Sequence, residues 1–95
     1  MSPEAFVPRI VSELGLSQKV QRTALALLRD HPLTTTGSPL VHAAAAVHTA
    51  ATMNNERRMQ AEVSKIAGCA EVAVRHAALR FGVKPREKRG EGNVS

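Results

Sequence analysis

The chain has 95 residues, 43% of them apolar but only 2% aromatic, with a single cysteine and a net charge of +5. That length suits one domain with a modest core, the lone Cys69 excludes an internal disulfide or a zinc ribbon of Cys pairs, and no run approaches the roughly 18–20 apolar residues of a membrane span. Met1-Ser2-Pro3-Glu4 lacks a basic stretch followed by an apolar core, so no secretory leader is expected and a soluble cytoplasmic protein is.

Alanine supplies much of the apolar share, which favours closely packed helices over sheet. Ser2-Pro3 is a cap-and-proline start, and Phe6, Ile10, Val11 and Leu14 follow at helical spacing until Gly15. Pro8 sits awkwardly inside this run and either delays the true start or kinks the helix. Ser17 caps a second helix striped by Val20, Ala24, Leu27 and Leu28 and stopped by His31-Pro32. After the loop "LTTTGS", Ser38-Pro39 opens "LVHAAAAVHTAATM", small-sided nearly all round as befits a central helix, and Asn54-Asn55 breaks it. A fourth helix is predicted from about Gln60 to Ala67 and a fifth from about Ala70 to Phe81, with Gly68 free to turn left-handed between them. "KPREKRGEGNVS" is polar and charged and is expected to be a disordered basic tail. The predicted fold is all-α: one five-helix domain over 1–83 and a flexible tail over 84–95.

The stretch "EVSKIAGCAEVAVRHAALRF" carries the chemistry. Small residues, Ser64 and Ala67, stand where two crossing helices approach, with Gly68 at the turn, which is the pattern of a helix-turn-helix at about 60–81. On its second helix Val74, Ala77, Ala78 and Phe81 share one face, leaving Val72, Arg75, His76 and Leu79 on or toward the other. Arg75 suits a base edge because its planar fork can pair with guanine O6 and N7, and Val72 suits a thymine methyl, with His76 beside them. Arg57, Arg58, Lys65, Arg80 and Lys84 flank the motif and suit phosphates. Charge agrees. Residues 1–56 balance, Arg9, Lys19, Arg22 and Arg29 against Glu4, Glu13, Asp30 and Glu56, so the whole basic excess lies in 57–95. Helix-turn-helix geometry is nonetheless common in helical proteins that never meet DNA, and a basic face is often merely solvated.

Other chemistries find less support. His42 and His48 are six apart and do not stack as i, i+4 ligands would, so they read as core or partly exposed histidines. Cys69 reads as a small buried side chain in a turn. No Ser-His-Asp or Cys-His spacing, paired carboxylates or phosphate-cradling glycine loop is present, and aromatics for stacking single strands are lacking, so neither an enzyme nor a cofactor or metal is expected.

Taken in order, "VPRIVSELGLSQKVQRTALALL", "GSPLVHAAAAVHTAA" and "ERRMQAEVSKIAGCAEVAVR" resemble the second cyclin-like repeat of archaeal transcription factor B, the counterpart of eukaryotic transcription factor IIB, over about residues 3–81. The resemblance implies a five-helix cyclin fold whose last two helices enter the major groove beside the TATA box. There they read the B recognition element next to the promoter-bound TATA-binding protein. The family's groove-reading Val and Arg fall on Val72 and Arg75, and the Arg before the motif falls on Arg58. Family members also carry a zinc ribbon that recruits RNA polymerase, a linker and a first repeat; none is in this sequence, which is either a piece of a longer factor or a short stand-alone relative. Met59 stands where the family has a capping Thr, His48 where Tyr is common, and Ala77 and Ala78 where Arg and Tyr are frequent. The expected partners are double-stranded promoter DNA and the TATA-binding protein, with RNA polymerase reached through the missing domains and no membrane. The rival reading is a cyclin-fold module that binds a transcription protein without reading DNA sequence.

Overall fold

The computed structural model describes residues 2–32 and 37–81, so the expected tail, with Lys84, lies outside the described residues. A 3₁₀ turn, Pro3–Phe6, leads into α1 (Val7–Leu14), followed by α2 (Gln18–Asp30), α3 (Pro39–Met53), α4 (Gln60–Ala67), α5 (Glu71–Ala78) and a closing 3₁₀ turn, Leu79–Phe81. The five helices stand where the sequence places them, and no strand occurs among the described residues. Pro8 does delay the first helix. The chain runs as 3₁₀ up to Phe6, and Pro8 then occupies the first turn of α1, where a missing N–H leaves no bond unmade. The fifth helix likewise tightens to 3₁₀ over its last three residues.

α3 is the axis of the domain, packing against α1, α2, α4, α5 and the first 3₁₀ turn. Ala43, Ala44, Ala45, Ala46, Val47, Ala50 and Ala51 are all fully buried along it. Methyl-sized side chains on every side let neighbouring helices come close all round, so the small-sided sequence of α3 is also its architectural role. α1 and α2 cover it with Val7, Ile10, Val11 and Leu14 and with Val20, Ala24, Leu27 and Leu28. From the other side it meets Val63 and Ala67 of α4, Val74 and Ala77 of α5, and Phe81.

Three described positions take left-handed backbone: Asn55 after α3, at φ 60°, where asparagine tolerates it, and two glycines. Gly15 closes α1 at φ 69° and Gly68 closes α4 at φ 85°, a region that costs L-residues with a Cβ roughly 1–2 kcal/mol. At the second turn the Ser64 carbonyl accepts both the Gly68 and Cys69 N–H groups, at 2.8 and 3.0 Å, satisfying the end of α4 and setting the entry to α5.

The expected side-chain cap at Ser17 is corrected by the structure. Ser17 precedes α2 in extended backbone, but its hydroxyl makes no cap bond and donates instead to a carboxylate oxygen of Glu56. The other Glu56 oxygen accepts the Ser17 N–H at 2.9 Å. Arg58, from the same α3–α4 connection, donates to the carbonyls of Glu56 (3.1 Å), Arg57 (3.3 Å) and Leu14 (3.3 Å). The connection that delivers the chain into α4 is thus bolted to the α1–α2 turn.

The Met59 cap position behaves as its sequence predicts. Met59 is extended (φ −68°, ψ 147°), makes no side-chain cap bond and is 71% exposed, directly before α4. Glu62 stands three residues on, so Met59→Thr would complete a Thr-x-x-Glu capping box. We expect this variant to gain about 0.5–1 kcal/mol in thermal or urea unfolding. An unchanged or lower midpoint would place the functional start of α4 elsewhere.

Candidate nucleic-acid interface

α4 and α5 pack on each other and both pack on α3, so the helix-turn-helix is held as a unit on the domain. Val74 and Ala77 of α5 and Phe81 of the 3₁₀ turn after it are buried, while Val72 of α5 is 52% exposed and Leu79 of that turn 71%. The 3.6-residue period that buries 74, 77 and 81 necessarily turns 72, 75, 76 and 79 outward. Arg75 and His76 are exposed, as are Arg57, Lys65 and Arg80 around them. Among the described residues no ion pair ties down Arg75 or these flanking cations.

Arg58 differs. It is half-buried, and its donors are directed to backbone carbonyls, which makes it a strut between the α3–α4 connection and α1 rather than an outward cation.

A cleft of about 460 Å³ opens between the second half of α3, the connection after it, the start of α4 and one flank of α5. Arg57 and Arg75 line it together with Glu71, Met59, Leu79 and His48. His48 is half-buried, and its imidazole is held below its ordinary value of 6.5, first by burial and then by the Arg57 charge. Cys69 packs half-buried against the core, and burial pushes its thiol up, which disfavours the thiolate at this turn. Among the described residues no group of three or more His, Cys, Asp or Glu side chains is placed to hold a metal ion. No helix there is long and apolar enough to cross a membrane.

His42 is a core histidine and His48 a half-buried one, as the sequence reading has them, but two features of this region escaped that reading, the first being what His42 packs against. His42 is buried and stacks on Phe81 with ring centroids 5.1 Å apart, while His31 meets the same ring edge-on at 5.3 Å. Glu56 is the other. Its carboxyl is held below the ordinary 4.5, chiefly by the Ser17 hydroxyl and then the Ser17 N–H, with burial opposing and Arg58 and Lys19 assisting. The only available signal was an acidic residue beside two arginines, which says nothing about a serine 39 positions away.

These shifts have a sign. A carboxyl whose folded value is depressed stabilises the fold above its unfolded value, and that stabilisation is lost as pH falls through the folded value. A histidine with a depressed folded value takes up its proton more readily when unfolded, so acidification from about its ordinary 6.5 also favours unfolding. Stability should therefore decline in two stages, first below the ordinary histidine value and again below the ordinary carboxyl value. Glu56→Gln is expected to lower the melting temperature at pH 7 and to flatten the second stage only. A parallel downward shift at every pH would show that the carboxylate charge is irrelevant to the clamp.

The family model described as "Transcription factor TFIIB repeat" matches residues 1–81. The chain belongs to this family. Its relatives include transcription initiation factor IIB 2 of Haloferax volcanii, 48% identical over 77 residues that cover 78% of this chain and 23% of that protein. Transcription initiation factor IIB 4 of Halobacterium salinarum is 43% identical over 89 residues, 87% of this chain and 27% of that protein. Transcription initiation factor IIB of Archaeoglobus fulgidus is 38% identical over 78 residues, 79% and 24% of the two chains. The chain thus spans about a quarter of the length of the curated relatives it matches. The likeness to an archaeal factor B repeat is established, and with it the cyclin-like all-α fold in a family of non-enzymatic transcription factors.

Proposed function

We propose that this TFIIB repeat is a promoter-binding domain acting in transcription initiation, with α5 lying in the major groove. The observation that carries this reading is the division of α5: Val74, Ala77 and Phe81 anchor one face, while Val72 and Arg75 stand outward with no partner among the described residues. Val72, Arg75 and His76 face base edges, and Arg57, Lys65 and Arg80 grip phosphates, with Lys84 extending that set. Arg58 positions the motif instead of touching DNA. By its resemblance to archaeal factor B, the sequence read is a B recognition element beside the TATA box, and the partner there is the TATA-binding protein. RNA polymerase is engaged by other parts of such a factor.

A second reading has its own observation: Met59 and Leu79, both 71% exposed, border the larger cleft and offer apolar surface to a protein. Titrating duplex binding against salt separates the two. Phosphate-driven binding falls linearly on a log–log plot with a slope near −0.9 per phosphate contacted, about −3 for Arg57, Lys65 and Arg80 together. No measurable duplex binding at low salt, alongside salt-insensitive capture of the TATA-binding protein, would favour the protein-binding module.

A further inference from the structure

The cleft that Arg57 and Arg75 share has the size of a ligand site. At about 460 Å³ it is more than twice a second cleft of about 200 Å³, between the opposite flank of α5 and the start of α3. It falls within the roughly 300–1,000 Å³ of small-molecule sites, which are apolar hollows with a few converging polar groups. Met59, Ala61, Ala78 and Leu79 give it apolar walls. Arg57 comes to it from the α3–α4 connection and Arg75 from α5, both exposed, against one lining carboxylate, Glu71. No ion pair joins these groups among the described residues. His48 is neutral at pH 7, so the lining keeps a positive charge in excess.

Thr49 is an independent observation. It lines the same cleft, yet is only 4% exposed. Thr52, three residues on, donates to the His48 carbonyl at 3.1 Å, whereas the Thr49 hydroxyl makes no hydrogen bond among the described residues. His42 Nδ1 is the one fully buried side-chain polar atom there without a partner, so the Thr49 oxygen keeps accessible surface, and the cleft is what it meets. A hydroxyl this enclosed is ordinarily bonded; this one is left for an occupant. The exposed arginines stand at the mouth and the enclosed threonine deep inside, so the polar groups of the cleft lie at its two ends.

We propose that this cleft binds a small organic carboxylate with an apolar body and a hydroxyl at its far end. The Arg57 and Arg75 guanidiniums donate to the carboxylate, the body lies against Met59, Ala78 and Leu79, and the ligand hydroxyl bonds Thr49. An occupant that engages both arginines withdraws them from DNA, so ligand and duplex compete. That consequence, unlike the site itself, rests on the DNA reading.

The test is ¹H–¹⁵N NMR of the full chain titrated at pH 7 with p-coumarate, its neutral amide, and cinnamate, which lacks the hydroxyl. p-Coumarate should give saturable shifts at Thr49, Gln60, Ala61 and Ala78. It should bind about tenfold tighter than the amide, the weight of one hydrogen bond to a charged group, and about fivefold tighter than cinnamate, the weight of a neutral one. Arg57→Gln should lower p-coumarate affinity about tenfold and leave the amide unaffected. Thr49→Val, nearly the same shape, should remove the preference over cinnamate and keep the preference over the amide. Equal affinity for acid and amide, a Thr49→Val protein that still prefers p-coumarate to cinnamate, or shifts that never saturate overturn the proposal. Saturating p-coumarate should also weaken duplex binding competitively, and an unchanged duplex affinity overturns the competition. If p-coumarate saturates while no duplex binds at low salt, the DNA reading falls and the site stands. If a duplex binds and p-coumarate does not saturate, the site falls and the DNA reading stands.

Discussion

Phe81→Ala is expected to cost about 3–5 kcal/mol of folding stability, the range for removing a buried phenyl ring from a packed core. Phe81 is 4% exposed and closes the helix-turn-helix against both His31 and His42. The chain has two phenylalanines and no Trp or Tyr, and the buried core as a whole is built mainly from alanine and valine. For a domain of this size the melting temperature should fall by roughly 12–40 °C, and native stability of about 5–15 kcal/mol leaves the variant marginal or unfolded. Phe81→Leu keeps most of the apolar volume and should cost under about 1.5 kcal/mol. Thermal and urea unfolding followed by circular dichroism provide the measure. A Phe81→Ala loss below about 1 kcal/mol would mean that the ring is peripheral and that something else anchors the end of α5.

The second large effect is on binding. On a duplex selected from a random pool by this protein, Arg75→Ala is expected to lose about 1–3 kcal/mol, roughly 5- to 150-fold. On arbitrary duplexes the loss should be much smaller, because a bidentate pairing with guanine is absent there. Arg75 is exposed, unlike Val74 before it, so folding should be unaffected and circular dichroism should match the parent. Arg75→Lys retains the charge but not the planar fork, and should recover non-specific binding while remaining poor on the selected site. Equal losses on selected and arbitrary duplexes would reassign Arg75 to phosphate contact and remove the main support for base reading by this helix.

Much of the fold, and which side chains of α5 face outward, were legible in the sequence, because their signals are local. Ser38-Pro39 starts α3 and Asn54 ends it, since capping and chain-breaking act within one turn. Gly68 marks the turn between α4 and α5 because a left-handed residue is needed there, and the spacing of Val74, Ala77 and Phe81 determines which face Val72 and Arg75 must leave exposed. The tertiary structure decided what depends on residues distant in the chain. Whether Pro8 kinks the first helix or delays it was resolved by where Val7 and Ile10 pack, both being fully buried. The Ser17 hydroxyl could serve its own helix or a partner 39 residues away, and the Glu56 carboxylate won because a charged acceptor makes the stronger bond. Arg58 looked like a phosphate ligand beside Arg57, yet the Leu14 carbonyl 44 residues earlier lies within its reach. His42 could be core or partly exposed by its spacing alone, and it became a buried polar group only once His31 and Phe81 closed over it. Local spacing determines which face a side chain occupies; only the assembled helices determine what that face meets.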